Sequence, residues 1–99
     1  MKSIYFILLY LLPVFNDSAD NFQLIYREGG NRYFAAYSYF IVFDGNNRQV
    51  LQGYSDKYGR IIVNLKTGYY TCQITYRKLT YKRSIMVNGT PGIREILLQ

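Results

Sequence analysis

The sequence predicts an all-β sandwich of about seven mainly antiparallel strands. Three observations carry that expectation. The chain holds 12 Tyr and 6 Phe in 99 residues, and aromatic side chains suit a pleated, half-buried surface. Short apolar segments are separated by clusters of Gly, Asn and Asp, which mark turns. Several segments alternate with period two, and none sustains the 3.6-residue stripe of an amphipathic helix.

The N-terminus stands apart from this pattern. Met1-Lys2-Ser3 gives a positive start, Ile4 to Phe15 is an apolar run broken only by Pro13, and Asn16 to Asp20 turns polar. This is the outline of a secretory signal peptide. The run is shorter than the roughly 20 residues of a membrane span. The expected division is therefore residues 1–19 as signal, or as an uncleaved anchor, and 20–99 as one domain. The protein is expected to be exported, whether secreted, periplasmic or at the cell surface.

The strands follow in order. Phe22 to Arg27 is a first strand, closed by Glu28-Gly29-Gly30-Asn31. Tyr37 to Asp44 is apolar on both faces, as a central or covered strand is. Tyr37, Tyr39, Ile41 and Phe43 share one face, and Phe40 and Val42 share the other. Gly45-Asn46-Asn47 turns the chain into Arg48 to Tyr54. Ser55 to Gly59 turns it into Arg60 to Leu65, where Ile61, Val63 and Leu65 point one way. Lys66-Thr67-Gly68 leads to Tyr69 to Arg77, with Tyr70, Cys72, Ile74 and Tyr76 on one face. Leu79 to Val87 is the sixth strand and Ile93 to Leu98 the last. No helix is available for parallel crossovers, so mainly antiparallel pairing is expected.

The segment Gly53-Tyr54-Ser55-Asp56-Lys57-Tyr58-Gly59-Arg60 and its continuation through Gly68-Tyr69-Tyr70 is more specific. A small residue and Asp, a two-residue gap, Gly, an alternating strand, then Gly-x-Tyr: this resembles the carboxypeptidase regulatory-like domain. The resemblance covers roughly residues 33–98. It implies a Greek-key, transthyretin-like (prealbumin-like) sandwich and a non-catalytic role. The residues also make sense without it. Asp56 can accept amides of its own turn, Gly59 can take positive φ, Gly68 ends a hairpin, and the hydroxyl of Tyr70 needs a partner at the rim of a buried face.

Chemistry finds few parts. The chain has no histidine and one cysteine, so histidine-based proton shuttling and Cys/His zinc sites lack their components. No internal disulfide is possible within this chain. Cys72 is expected as a buried core thiol, with a disulfide to another chain as the alternative if it faces outward. Asp44 and Asp56 sit beside turns, which explains them better than a pair of catalytic carboxylates. No cofactor or metal is expected, and no enzyme. Two glycosylation triplets, Asn16-Asp17-Ser18 and Asn88-Gly89-Thr90, are too short to carry an argument.

The formal charge is +6, which favours anionic partners without choosing among them. Arg77, Lys78, Lys82 and Arg83 crowd one expected hairpin, with Tyr76 and Tyr81 interleaved. The expected function is a structural or protein-binding role, with this hairpin as the candidate contact surface toward another exported or cell-surface protein or an anionic surface, and not toward nucleic acid. The alternatives are a carbohydrate-binding module using exposed Tyr33, Tyr37 and Tyr39, or a solvated edge whose charges block aggregation.

Overall fold

A computed structural model describes residues 18–99. The expected signal segment lies outside them except for Ser18 and Ala19, which open the first strand. The described chain is all β, with no helix among the described residues. Its strands are β1 (Ser18–Glu28), β2 (Asn31–Phe34), β3 (Tyr39–Phe43), β4 (Gln49–Tyr54), β5 (Arg60–Leu65), β6 (Gly68–Tyr76), β7 (Leu79–Val87) and β8 (Ile93–Leu97).

The strands are eight, not about seven. The additional one is β2, which forms a hairpin with β1 across Gly29 and Gly30, both at positive φ. Its four residues are all exposed, so it has no inside–outside alternation to read. Gly-Gly between strands is nevertheless a hairpin signal.

Two four-stranded sheets result. The second runs β4-β3-β6-β7 and is antiparallel throughout. In the first, β1 is central. β5 pairs with Ser18 to Gln23 and β2 with Ile25 to Glu28, both antiparallel. The parallel strand β8 lies on the opposite edge. Leu24 is the junction between β5 and β2. Its amide donates to Gly59 O at 2.7 Å and its carbonyl accepts from Ala35 N at 2.9 Å.

The core fills the space between the sheets. Phe22, Leu24, Phe40, Val42, Ile61, Val63, Cys72 and Ile74 are buried there. Of the faces read on the fourth and fifth expected strands, Ile61, Val63, Cys72 and Ile74 are fully inside, while Leu65, Tyr70 and Tyr76 pack at the rim. Strand β3 is central in its sheet. Phe40 and Val42 face the core, and Tyr39, Ile41 and Phe43 are half-buried on the outer face. Tyr37 is not part of that face. It leaves the strand at φ 53° with its ring 68% exposed. Ile25 is buried on the outer side of the first sheet, where its cross-strand neighbours are Phe34 and Leu97.

Candidate functional site

The β6–β7 hairpin forms as expected, but it does not gather its four cations. The strands pair from Gly68↔Val87 to Tyr76↔Leu79, leaving Arg77 and Lys78 as a two-residue turn. Both take positive φ, 52° and 67°, the backbone of a type I′ turn without its usual Asn-Gly. Arg77 folds back onto the first sheet. Its Nη1 donates to Glu28 Oε1 at 3.0 Å, and its guanidinium lies 5.1 Å from the Tyr26 ring and 5.3 Å from the Tyr76 ring. The hydrogen bond it donates to Glu28 raises the Arg77 pKa above its ordinary value.

Arg83 is opposite Cys72 in the register and so projects toward the inter-sheet side. Its Nε donates to Leu97 O at 2.9 Å and its Nη2 to Leu98 O at 2.6 Å. It ties β7 to the end of β8. Lys82 projects to the other face of the sheet, opposite Gln73. Lys78 is exposed at the tip. The expected cluster thus divides into two arginines that fasten the sandwich and two lysines on different parts of its surface. Tyr76 and Tyr81 pack against the core as partly buried rings, and Tyr26 meets Tyr76 at 5.2 Å. These two tyrosines are packing residues and not an exposed contact face.

The turn residues take up local roles. Asp56 Oδ1 accepts the amides of Tyr58 at 2.8 Å and Arg60 at 2.9 Å, and Asp56 O accepts Gly59 N at 3.0 Å. The Arg60 amide, followed by the Tyr58 amide, holds the Asp56 carboxyl below its ordinary range against the opposing effect of desolvation. Gly59 has φ 73°, and a Cβ there would meet Leu24 O at 2.7 Å. The glycine is therefore needed for its conformation and for close approach to β1. Gly68 is different: it opens β6, a Cβ would come no closer than 3.8 Å to the Tyr70 ring, and it is not among the positive-φ glycines. The expected backbone requirement at Gly68 is not present. Tyr70 donates its hydroxyl to Lys66 O at 2.7 Å, which supplies the rim partner its ring position demands.

A second turn repeats this geometry. Asp44 Oδ1 accepts Asn46 N at 2.8 Å and Arg48 N at 2.9 Å, Asp44 O accepts Asn47 N at 3.1 Å, and Asn47 takes φ 61°. Asp44-Gly45-Asn46-Asn47-Arg48 and Asp56-Lys57-Tyr58-Gly59-Arg60 are one loop made twice, on either side of β4. The Asp44 carboxyl is also held low, chiefly by the Arg48 amide. Asp before an αL residue three positions on, with Arg next, was the signal in the sequence.

Cys72 is a free, buried thiol. Burial pushes its pKa up to about 12, which keeps it protonated at neutral pH, and it has no exposed surface for a disulfide to another chain. An acid that sequence reasoning missed is Asp20. It is completely buried, pairs with Arg94, and accepts the Gly89 amide at 3.0 Å. The Arg94 guanidinium covers the Phe22 ring at 4.6 Å. Asp20 therefore ties β1 to β8 and to the loop before it.

The outer face of the second sheet carries a continuous, largely aromatic column. Register places Tyr39, Ile41 and Phe43 down its centre, with Tyr54 and Gln52 on one side and Thr75, Gln73 and Thr71 on the other. Tyr39 and Tyr54 meet at 5.2 Å, and Tyr39 donates to Gln52 Oε1 at 2.7 Å. Tyr54 is 70% and Tyr69 73% exposed. A depression of about 270 Å³ lies beyond them, lined by Phe43, Asn47, Thr71, Gln73 and Lys82. Tyr33, Tyr37 and Tyr39 do not form the flat row considered from the sequence, because Tyr33 belongs to β2 of the other sheet and Tyr37 to the connecting loop.

The described chain is similar to part of a solved structure from Bacillus anthracis, "The Bacillus anthracis TIE protein". The TM-score is 0.60 at 14% identity, and the match spans 83% of this chain but 17% of that one. The likeness is one of fold. No protein-family model and no curated protein matches the chain.

Proposed function

We propose that this chain is an exported, non-catalytic module that binds another protein through the outer face of its second sheet. The observation that carries the reading is the column Tyr39, Ile41 and Phe43 with Tyr54 beside it. Solvated sheet faces usually carry polar residues, while Tyr and other aromatics are enriched at protein interfaces. Export is supported by Lys2 and the apolar run Ile4 to Phe15. Membership of the carboxypeptidase regulatory-like, transthyretin-like group is supported by the Asp56–Gly59 turn and Gly68-Tyr69-Tyr70.

Carbohydrate is the second reading. The depression at Phe43 offers an aromatic floor ringed by amide, hydroxyl and ammonium groups, a combination that suits a sugar. An anionic surface loses part of its support, since Arg77 is paired with Glu28 and Arg83 bonds the carbonyls of Leu97 and Leu98.

The experiment is capture of partners by the tagged protein recovered from its native compartment, with soluble glycans as competitors. A defined protein retained in the presence of glycans is the expected result. Release by glycans would favour the second reading. N-terminal sequencing of the same sample should begin near Asp20, and an intact Met1 on cytoplasmic protein would overturn the export proposal.

A further inference from the structure

We infer that two copies of this chain associate through the free edge of β4, antiparallel, with Gln52 of each copy facing Gln52 of the other. This rests on no assumption about the tyrosine face.

β4 ends the order β4-β3-β6-β7, so one side of its backbone is unpaired. Its sequence is Gln-Val-Leu-Gln-Gly-Tyr, without charge or proline. The other strands at sheet edges all carry charge: Arg32 in β2, Arg60 in β5, Lys82 and Arg83 in β7, Arg94 and Glu95 in β8. Charged residues are the usual protection of an edge against pairing with another chain. At a net charge of +6, the β4 edge is also where two copies meet with least repulsion.

The backbone presents the right groups. Ser55 donates its amide to Ser38 O at 2.9 Å, on the β3 side. Alternation then turns the amides and carbonyls of Gln52 and Tyr54 toward the free edge.

One register is self-complementary. With Gln52 opposite itself, Leu51 faces Gly53 across the flat part of the strand. Each opposed pair occurs twice about a two-fold axis, as an isologous interface requires. The Phe40 ring lies over Gly53, about where a side chain at that position would sit, so Leu51 of the second copy meets an aromatic surface there. Beside it a groove of about 620 Å³ is lined in part by Phe40, Leu51, Gly53 and Ile61. Glycine in a strand commonly marks such a close approach. Slipping the register by two residues sets Leu51 against Leu51 or Gly53 against Gly53 and loses the Leu51–Gly53 fit. The bulge opposite Val42 and Phe43 keeps the flat part of β4 short, so the ladder is short and the dimer reversible. Pairing consumes both β4 edges, which closes the assembly at two copies.

The test is sedimentation equilibrium from about 1 μM to about 1 mM, a range that covers weak association. Wild type should show a monomer–dimer equilibrium. Gln52→Lys and Gln52→Glu place like charges across the axis, and each should weaken association at least about tenfold, or about 1.4 kcal/mol. An equimolar mixture of the two variants should dimerise again, because only this register sets position 52 against itself. Gln52 is exposed, and melting curves of both variants check that the fold is retained. A wild type that stays monomeric throughout overturns the inference. So does a dimer indifferent to both substitutions, or a mixture no better associated than either variant alone. A monomeric wild type that still captures its protein partner would leave the tyrosine-face reading standing.

Discussion

Two glycines that look alike in the sequence differ at the scale of single residues. Gly59→Ala forces a side chain into φ 73° and toward Leu24 O at 2.7 Å, so it should cost more than about 1 kcal/mol. Gly68→Ala has room and ordinary φ, so it should lie within about 0.5 kcal/mol of wild type. Denaturant midpoints of the two variants check the contrast. Asp44 and Asp56 make a pH prediction. Their folded pKa values lie below the ordinary 3.8, chiefly because the Arg48 and Arg60 amides bond the charged form. Their contribution is full above the unfolded value and is lost as pH falls through the lower folded values. Acid titration of stability should therefore show a loss below about pH 4, and this component should shrink when both are changed to Asn. Asp56 and Gly59 were readable because their hydrogen bonds are local. Asp20 was not, because its partners Arg94 and Gly89 lie at the far end of the chain.

Among the elements, the β6–β7 hairpin shows where pattern reading succeeds and where it stops. Alternation and the turn position determine the strand pairing, and both were legible. Which way Arg83 points follows from register, but what it meets does not. The carbonyls of Leu97 and Leu98 are brought there by β8. Arg83→Gln should destabilise the fold by about 1–3 kcal/mol, as loss of charge-assisted hydrogen bonds does. Lys82→Gln, on the outer face, should change stability by less than about 0.5 kcal/mol. Thermal unfolding of the pair distinguishes a fastening arginine from a surface lysine. Strand β2 escaped for another reason: short and wholly exposed, it buries no alternating face and is defined only by its hydrogen bonds to β1.

For the molecule as a whole, the sequence supports a sandwich whose inner faces are Ile, Val, Leu and aromatic, and the two sheets bury those residues together. Cys72 lies in the middle of that layer, with its thiol pKa raised to about 12 by burial. It should resist alkylation in the native state and react at once on unfolding, so labelling kinetics in denaturant report opening of the sandwich. What composition could not divide was the work of the aromatics and cations. Arg83 bonds the end of β8 and Arg77 pairs with Glu28 at the surface, while the exposed rings of Tyr54 and Tyr69 lie on the outer face of the second sheet. The most direct measurement of that division compares partner recovery by two double variants of the tagged protein. Tyr54→Ser with Tyr69→Ser should lose the captured protein while keeping the wild-type melting temperature. Lys78→Gln with Lys82→Gln should retain it. Loss with the lysine variant and full recovery with the tyrosine variant would contradict the account and return the contact to charge.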